Sequence, residues 1–302
     1  MPQTNTLITI VGATAIGKTA LSIKLAQHFN CDIVSCDSRQ FYKEMTIGTA
    51  VPDADELAAA PHHFIQNRSI FEDYSVGQFE KDALAKLDEL FVENPIQIMV
   101  GGSGLYVDAV LKGFDEFPDV DPQIRIDLTT ELDIKGIEHL QQQLKELDIE
   151  TYNTIAIDNP HRLIRALEIC VGTRKTYSSF KNKPKAPRNF QTIKIGLKAD
   201  REIMYDRINR RVDIMIENGL IEEAQKLHQY KKLNALQTVG YRELFEYFEG
   251  NFTKEFAIDE IKKNSRRFAK RQGTWFRKDP EIIWFDFQED VNNIIATIES
   301  KK

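Results

Sequence analysis

One segment near the start of the chain restricts the folds open to it. Residues 12–19 fit the pattern G-x-x-x-x-G-K-[ST], directly after the apolar run 7–11 and directly before a helical pattern that begins at Ala20. Strand, glycine loop and helix in this order build a nest of backbone N–H groups that binds phosphate. The positive end of the helix dipole adds to the attraction. The sequence therefore predicts a P-loop that grips a diphosphate or a triphosphate. The residues expected at the phosphates are Gly12, Ala13, Thr14, Ala15, Ile16, Gly17, Lys18 and Thr19.

Two side chains of this loop bring chemistry of their own. Lys18 supplies a positive charge for a terminal phosphate, and the hydroxyl of Thr19 is suited to bind Mg²⁺. We therefore predict Mg²⁺ as the cofactor, with Thr19 as its protein ligand. The alternative for the whole segment is a glycine-rich turn at the surface, which the flanking strand and helix patterns disfavour.

The rest of the chain has the texture of an α/β protein. Further apolar runs that favour strands are 32–36, 96–100, 193–197 and 282–285. Helical spacing of apolar residues marks 74–94, 203–217 and 256–275. Strands that alternate with helices indicate a parallel sheet flanked by helices.

The texture changes in the middle of the chain. A segment rich in proline and aspartate, 117–122, precedes a stretch of helical patterns without a convincing strand, 123–169. We therefore predict a P-loop NTPase-like α/β core formed by 1–116 and 189–302, with a helical subdomain inserted at 117–188.

Composition excludes several classes of protein. No apolar stretch approaches the ~20 residues that a membrane helix needs, so no membrane partner is expected. The three cysteines, Cys31, Cys36 and Cys170, cannot all pair and have no metal-site spacing. Reduced thiols indicate a cytoplasmic protein.

The charge is distributed unevenly along the chain. The net charge is −6, yet residues 158–278 hold 27 Lys and Arg against 15 Asp and Glu. Two windows, 174–188 and 262–278, contain six and eight basic residues and no acidic one. Such stripes are typical of a nucleic-acid partner, although a solvated helix face has the same composition. In the second window Phe268, Trp275 and Phe276 could stack on bases or pack in the core.

Polar residues follow two of the expected strands. The run 96–100 ends in Gly101-Gly102-Ser103-Gly104 without the acidic residue that holds Mg²⁺ in many P-loop ATPases, whereas Asp37 follows the run 32–36. Both lie at the sheet edge where α/β proteins bind ligands. Asp37 is therefore a candidate general base or metal helper, and Ser103 a candidate hydrogen-bond partner of the ligand. Roles in capping or forming a turn are the alternatives.

The chain resembles the bacterial tRNA dimethylallyltransferases, also called tRNA isopentenyltransferases. The resemblance extends over nearly the whole chain. It has three departures: Ala13, Ser103 and His161 stand where the family commonly has Pro, Thr and Gln. The segments that carry it are Gly12–Thr19, Asp37-Ser38-Arg39-Gln40 with Tyr42, Ile47-Gly48-Thr49-Ala50, Gly101–Tyr106, Asp158–Glu168, Val239-Gly240-Tyr241-Arg242 and Lys270–Arg277.

The resemblance implies a reaction and roles for these residues. The loop would hold dimethylallyl diphosphate, and N6 of the adenine next to the anticodon would attack its C1. Asp37 would be the base, Ser103 would position N6, and Lys18 would stabilise the leaving diphosphate with Mg²⁺ on Thr19. The arginines implied at the diphosphate are Arg201 and Arg207. The implied protein is a monomer that binds the tRNA anticodon stem-loop.

The resemblance also implies a long set of tRNA contacts, part of which falls in the basic half of the chain. These residues are Asp37, Ser38, Arg39, Gln40, Ser103, Arg125, His161, Arg162, Leu163, Ile164, Arg165, Gln237, Thr238, Val239, Gly240, Tyr241, Arg242, Lys270, Arg271, Gln272, Gly273, Thr274, Trp275, Phe276 and Arg277.

Three other functions remain open at this point. A P-loop small-molecule kinase would use the same loop with ATP, but it leaves the basic half unexplained. An adenylate isopentenyltransferase shares the donor chemistry and needs no basic surface. A pure RNA-binding module needs neither Lys18 nor Asp37.

Overall fold

The computed structural model describes residues 4–302, so the first three residues of the predicted core lie outside it. Within this range the strands form a parallel six-stranded sheet in the order β3-β2-β4-β1-β5-β6. The strands are β1 (Thr6–Gly12), β2 (Ile33–Ser35), β3 (His62–His63), β4 (Ile96–Gly101), β5 (Gln191–Lys198) and β6 (Ile283–Asp286). The predicted parallel α/β sheet is confirmed, and the two-residue edge strand β3 was not predicted.

Helices cover both faces of the sheet. Those of the sheet-bearing unit are α1 (Lys18–Phe29), α2 (Ala54–Ala59), α3 (Val76–Glu93), α4 (Gly104–Lys112), α9 (Arg201–Glu217), α10 (Leu220–Leu227), α11 (Tyr241–Phe248), α12 (Lys254–Phe276) and α13 (Val291–Glu299). Those of the middle segment are α5 (Pro122–Lys135), α6 (Ile137–Leu147), α7 (Ile149–Thr154) and α8 (Pro160–Thr173).

The alternating direction of the side chains along β1 explains why helices cover both faces of the sheet. Ile8 and Ile10 are fully buried in one apolar cluster with residues of α1 and α13. Leu7 and Val11 point to the opposite face, into a second cluster with residues of α3 and α4. Each such side chain contributes ~1.5–3 kcal/mol through burial. The central strand is therefore held from both sides, and its carboxyl end is a rigid base for the loop that follows.

The chain divides into two compact units. One comprises the residues up to Lys112 together with Arg188–Lys302, and the other comprises Gly113–Pro187. The second unit is helical and has its own core, in which Leu140, Leu144 and Leu163 are fully buried. Asn159 begins α8 by accepting hydrogen bonds from two backbone N–H groups of its first turn.

Among residues 4–302, none of the helices combines the length and the apolar character needed to cross a bilayer.

Candidate active site

The loop after β1 has the backbone geometry that a phosphate nest requires. Gly12 has φ of 148° and lies so close to β5 that a Cβ atom there would be 2.9 Å from the Leu197 carbonyl oxygen. Gly17 has φ of 111° and caps the start of α1. Both positions favour glycine because side chains rarely adopt such φ values. The two fixed glycines of the sequence pattern are thus explained by the fold.

Cationic side chains of α1 and α9 donate hydrogen bonds to the loop. Lys18 Nζ donates to the Ala13 carbonyl at 2.9 Å, and Arg207 Nε donates to the Ala15 carbonyl at 2.8 Å. Arg211 Nη1 donates to the Thr14 hydroxyl at 3.2 Å. Arg207 and Arg211 are four residues apart on α9 and so share one face of this helix. Positive charge is therefore concentrated around the nest before any anion binds.

The sequence analysis found one of these arginines and missed the other. Arg201, at the start of α9, is exposed, and its guanidinium lies 5.0 Å from the centroid of the Tyr205 ring. The structure therefore brings Arg207 to the loop, whereas the contact that it gives to Arg201 is with Tyr205. Arg211 took no part in the sequence analysis, and its spacing of four from Arg207 was the signal that could have identified it.

Lys18 has an unusual proton affinity. The pKa of its ammonium group is lowered from the ordinary value to about 8, mainly by burial, which the Asp37 carboxylate opposes and the nearby Arg211 reinforces. A buried amine of this kind stays charged at neutral pH but titrates just above it. An incoming diphosphate would supply the anionic partner that the charged form needs.

The turn that carries Asp37 meets the loop that carries Ser103 through Ser38, which lies 65 residues before Ser103 in the chain. Asp37 follows β2, and its Oδ1 accepts a hydrogen bond from the Arg39 backbone at 3.2 Å. Its Oδ2 receives no donor from residues 4–302. The Ser103 hydroxyl accepts the Ser38 backbone N–H at 3.2 Å and shares a hydrogen bond with the Ser38 hydroxyl at 3.1 Å. The two turns are thus one hydrogen-bonded unit with a free carboxylate oxygen.

Two cavities of the sheet-bearing unit meet at Asp37. The smaller, about 70 Å³, is lined by Lys18 and Thr19. The larger, about 450 Å³, is lined by Ser103 and by Trp275 among other residues. The residues that line both are Thr14, Asp37, Thr49 and Arg211. The arrangement offers a cationic recess for phosphates and a wider, partly apolar recess for a flat group, with a carboxylate between them.

Gln272 joins the two glycine loops of this site. Its Oε1 accepts the Thr14 N–H at 2.9 Å, and its Nε2 donates to the Gly102 carbonyl at 2.9 Å. A Cβ atom on Gly102 would lie 2.2 Å from that Nε2, so the close contact needs glycine. The side chain is buried. Gln272 is therefore a brace between the loops, and its implied contact with tRNA stays a prediction, since the residue also lines the larger cavity.

Other side chains implied as tRNA contacts are also occupied within the fold. Gln40 Nε2 donates to the carbonyls of Thr49 and Ala50, and Arg39 donates to two carbonyls of the segment 234–235. Tyr241 is fully buried, and Phe276 is buried in the core of the sheet. The rings of Tyr241 and Phe276 are enclosed by other side chains, and the implied tRNA contacts of these two residues stay predictions.

The remaining members of the set in this unit are accessible or line the larger cavity. Gln237, Thr238, Val239, Gly240 and Arg242 line that cavity. Of the implied contacts on α12, Lys270, Arg271, Thr274 and Trp275 are exposed and Gly273 is partly exposed, and Arg277, the residue after the helix, is also exposed. Phe268 is exposed as well. One helix thus presents a basic and aromatic face to solvent while its opposite face is buried.

In the helical unit the implied contacts divide in the same way. Arg125 and Arg165 each bind the buried Glu168 at 2.9 Å. Burial raises the pKa of Glu168, but hydrogen bonds from Arg125 and Arg165 outweigh it and leave the pKa below its usual range. His161 and Arg162 are exposed at the start of α8. Leu163 and Ile164 are buried in the core of this unit, and their implied tRNA contacts stay predictions.

The protein residues offer few ligands to a metal. Among residues 4–302 no group of three or more His, Cys, Asp or Glu side chains is placed to hold an ion. Thr19 lines the smaller cavity beside Lys18 and Asp37. A hydroxyl oxygen in a phosphate recess suits Mg²⁺, which prefers oxygen and keeps several waters or substrate oxygens as ligands. The residues present therefore fit a metal that arrives with the diphosphate.

Comparison with known proteins agrees with this geometry. The family model described as IPP transferase matches residues 40–279. A tRNA dimethylallyltransferase of Flavobacterium psychrophilum is 63% identical over 98% of this chain and 99% of its own. Its counterpart in Christiangramia forsetii is also 63% identical, over 99% of each chain.

Solved structures show the same similarity. The full-length tRNA isopentenylpyrophosphate transferase of Bacillus halodurans is 38% identical, with a TM-score of 0.72 over 98% of this chain and 95% of its own. A eukaryotic dimethylallyltransferase acting on tRNA is 26% identical, with a TM-score of 0.79 over 94% of this chain and 74% of its own. Since the match in sequence and in fold spans nearly the whole chain, this protein belongs to the IPP transferase family and is a prenyltransferase.

Proposed function

We propose that this protein transfers a dimethylallyl group from dimethylallyl diphosphate to N6 of the adenine on the 3′ side of the anticodon in tRNA, and releases diphosphate. The observation that carries the proposal is the position of Asp37, on the wall shared by a cationic recess and a wider one. A phosphate-bearing donor and a flat acceptor can meet there beside a carboxylate.

The smaller cavity would hold the diphosphate of the donor. Lys18, Arg207 and Arg211 surround the loop, so the charge that grows on the leaving diphosphate is met by fixed positive charge. Thr19 would hold Mg²⁺, which when bound neutralises part of the diphosphate charge. We also propose Arg201 as a diphosphate residue; its observed contact is with Tyr205.

The larger cavity would hold the adenine. Ser103 would hydrogen-bond N6 and place it toward C1 of the donor. N6 forms the bond to C1 as the bond from C1 to the diphosphate oxygen breaks, and the free Oδ2 of Asp37 takes the proton that N6 loses. An adenine in a stacked anticodon loop must leave its stack to enter such a cavity. A filled cavity also excludes water, which would compete for the allylic carbon.

The exposed face of α12 would bind the tRNA backbone. Lys270, Arg271 and Arg277 are exposed there, and Trp275 offers an aromatic face at the edge of the larger cavity. In the helical unit His161 and Arg162 are the exposed candidates. We propose a monomer that binds the anticodon stem-loop; of the two basic windows, 262–278 lies on α12 and the two residues after it, and 174–188 lies in the loop after α8.

Nucleoside mass spectrometry tests the proposal directly. After incubation of the protein with dimethylallyl diphosphate, Mg²⁺ and unmodified tRNA, we expect an adenosine heavier by one dimethylallyl group at the position 3′ to the anticodon. ATP turnover without tRNA would instead identify a small-molecule kinase. Prenylation of free adenylate but not of tRNA would identify an adenylate isopentenyltransferase, and tight RNA binding without any product would identify a binding module.

The affinity for tRNA should depend strongly on salt, because each phosphate that is neutralised releases counterions and contributes about −0.7 to −0.9 to the log–log slope. Removing Arg271 or Arg277 should make the slope shallower by up to ~1 each. Lys24→Ala is the matched control, since Lys24 is an exposed cation on α1 outside the basic windows. Filter binding across a salt series measures the slopes. Equal slopes for the three variants would mean that the basic windows are only a solvated face.

A further inference from the structure

The loop that carries Ile47-Gly48-Thr49-Ala50 is held by a residue that the sequence analysis did not consider. Glu223, on α10, accepts three successive backbone N–H groups, those of Thr46 at 3.0 Å, Ile47 at 2.8 Å and Gly48 at 2.9 Å. The Tyr241 hydroxyl donates to the same carboxylate at 2.6 Å. A carboxylate that accepts four donors makes charge-assisted bonds, which are stronger than bonds between neutral groups.

Packing makes the arrangement specific. The Tyr241 ring lies under Gly48, where a Cβ atom would be 2.6 Å from the ring carbons. Tyr241 is fully buried, and burial followed by the charge of Glu223 raises the pKa of its hydroxyl, which therefore stays a donor. Two motifs of the family resemblance, around Gly48 and around Tyr241, are thus parts of one packed unit centred on Glu223.

The held loop is a wall of the active site. Gly48 and Thr49 line the larger cavity, and Thr49 also lines the smaller one. The loop is tied on its other side by Gln40, whose Nε2 donates to the Thr49 and Ala50 carbonyls and whose backbone N–H donates to the Asp37 carbonyl. The wall is therefore fixed between Glu223 on one side and the Asp37 turn on the other.

We propose that Glu223 is a positioning residue of the transfer reaction: it fixes the Thr46–Ala50 wall so that the acceptor base is presented correctly to Asp37 and to the donor. This role rests on the proposed function. Glu223 itself is not among the residues that line either cavity, and the residues proposed to hold the diphosphate lie on other elements. Loss of its charge should therefore lower kcat and spare the binding of both substrates.

Glu223→Gln tests the role with little change in shape. The amide loses the charge and turns an NH₂ group toward at least one of the donors, so the wall loosens. We expect kcat to fall by ~10–100-fold, the effect of a misplacement of about 1 Å. The Kd of dimethylallyl diphosphate and that of tRNA should stay within about twofold, because their charged contacts are untouched. Tyr241→Phe, which removes one bond and keeps the ring, should give a smaller fall in kcat.

Glu222→Gln is the matched control. Glu222 lies in the same first turn of α10 and is exposed, so its loss alters the helix-dipole interaction equally but leaves the loop bonds intact. We expect this variant to keep its kcat. An unchanged kcat in Glu223→Gln overturns the proposal. So does a fall in kcat that is matched by an equal loss of affinity for both substrates.

Hydrogen exchange separates this inference from the proposed reaction. In the intact protein, amides 46–48 should exchange ~10-fold faster in Glu223→Gln than in the wild type or in Glu222→Gln. Faster exchange in a protein without transferase activity would refute the proposed function alone, since the loop would still be held by Glu223. Unchanged exchange refutes the positioning role, whatever the activity.

Discussion

Asp37→Asn is expected to lower kcat for prenyl transfer by ~10²–10⁴, the usual contribution of a general base. The amide still accepts the Arg39 backbone hydrogen bond that Asp37 Oδ1 accepts at 3.2 Å, so the turn after β2 should keep its shape. What is lost is the carboxylate that takes the proton of N6. Binding of the donor and of tRNA should therefore survive while turnover does not.

Single-turnover kinetics at pH 7 with saturating tRNA measures this loss. Asp37 opposes the lowering of the Lys18 pKa, so the variant should bind the donor somewhat more weakly toward alkaline pH. Asp55→Asn is the control, because Asp55 is an exposed carboxylate at the start of α2. A near-normal kcat in Asp37→Asn would remove Asp37 as the base, and a large loss of donor affinity at pH 7 would assign it to binding instead.

The parts of the site that the sequence predicted are those with a local signal. Gly12 and Gly17 belong to one short pattern whose flanks are a strand and a helix, so the loop could be placed from consecutive residues. Asp37 and Ser103 were predicted to lie at the same edge of the sheet because each follows an expected strand. β2 and β4 are adjacent in the sheet, and both residues therefore lie at its carboxyl edge.

The parts that the sequence did not predict depend on contacts between distant segments. The Gln272 bond to Thr14 spans 258 residues, and Glu223 reaches a loop some 175 residues earlier. The residues next to Gln272 and Glu223 in sequence do not indicate these partners. Hydrogen bonds of this kind form when helices pack against distant loops, and the sequence shows only that a polar residue is present.

One alternative that the sequence analysis left open could have been decided from helical spacing. Phe276 and Trp275 were grouped as aromatic residues of one basic window, yet Phe276 is buried and Trp275 is 40% exposed. Phe276 lies four residues after Gln272 and seven after Ala269, and both are also buried. Helical periodicity along α12 therefore separates the buried side from the side proposed for tRNA.

Lys18→Ala is expected to reduce kcat/KM for the donor by ~10²–10³, which corresponds to the loss of about 3 kcal/mol from one preorganised electrostatic contact. The ammonium group lies in the phosphate loop, bonded to the Ala13 carbonyl at 2.9 Å, and the exposed basic face of α12 does not depend on it. The Kd of tRNA should therefore stay within about twofold of the wild type. Lys24→Ala, on the exposed side of the same helix, controls for the loss of one positive charge.

The pH dependence gives this prediction a second readout. Because burial lowers the pKa of Lys18 to about 8, the free enzyme loses this positive charge as pH rises through that value. Donor affinity in the wild type should thus be highest below pH 8 and fall above it, since a neutral amine no longer attracts a diphosphate. In Lys18→Ala the affinity should be low throughout, without that step. Donor titrations of both enzymes between about pH 6.5 and about pH 9, a range that spans the Lys18 pKa of about 8, measure this step.

If the step persisted in Lys18→Ala, another group would be responsible for it. If tRNA binding collapsed while turnover of bound tRNA stayed intact, the loop would not be the donor site.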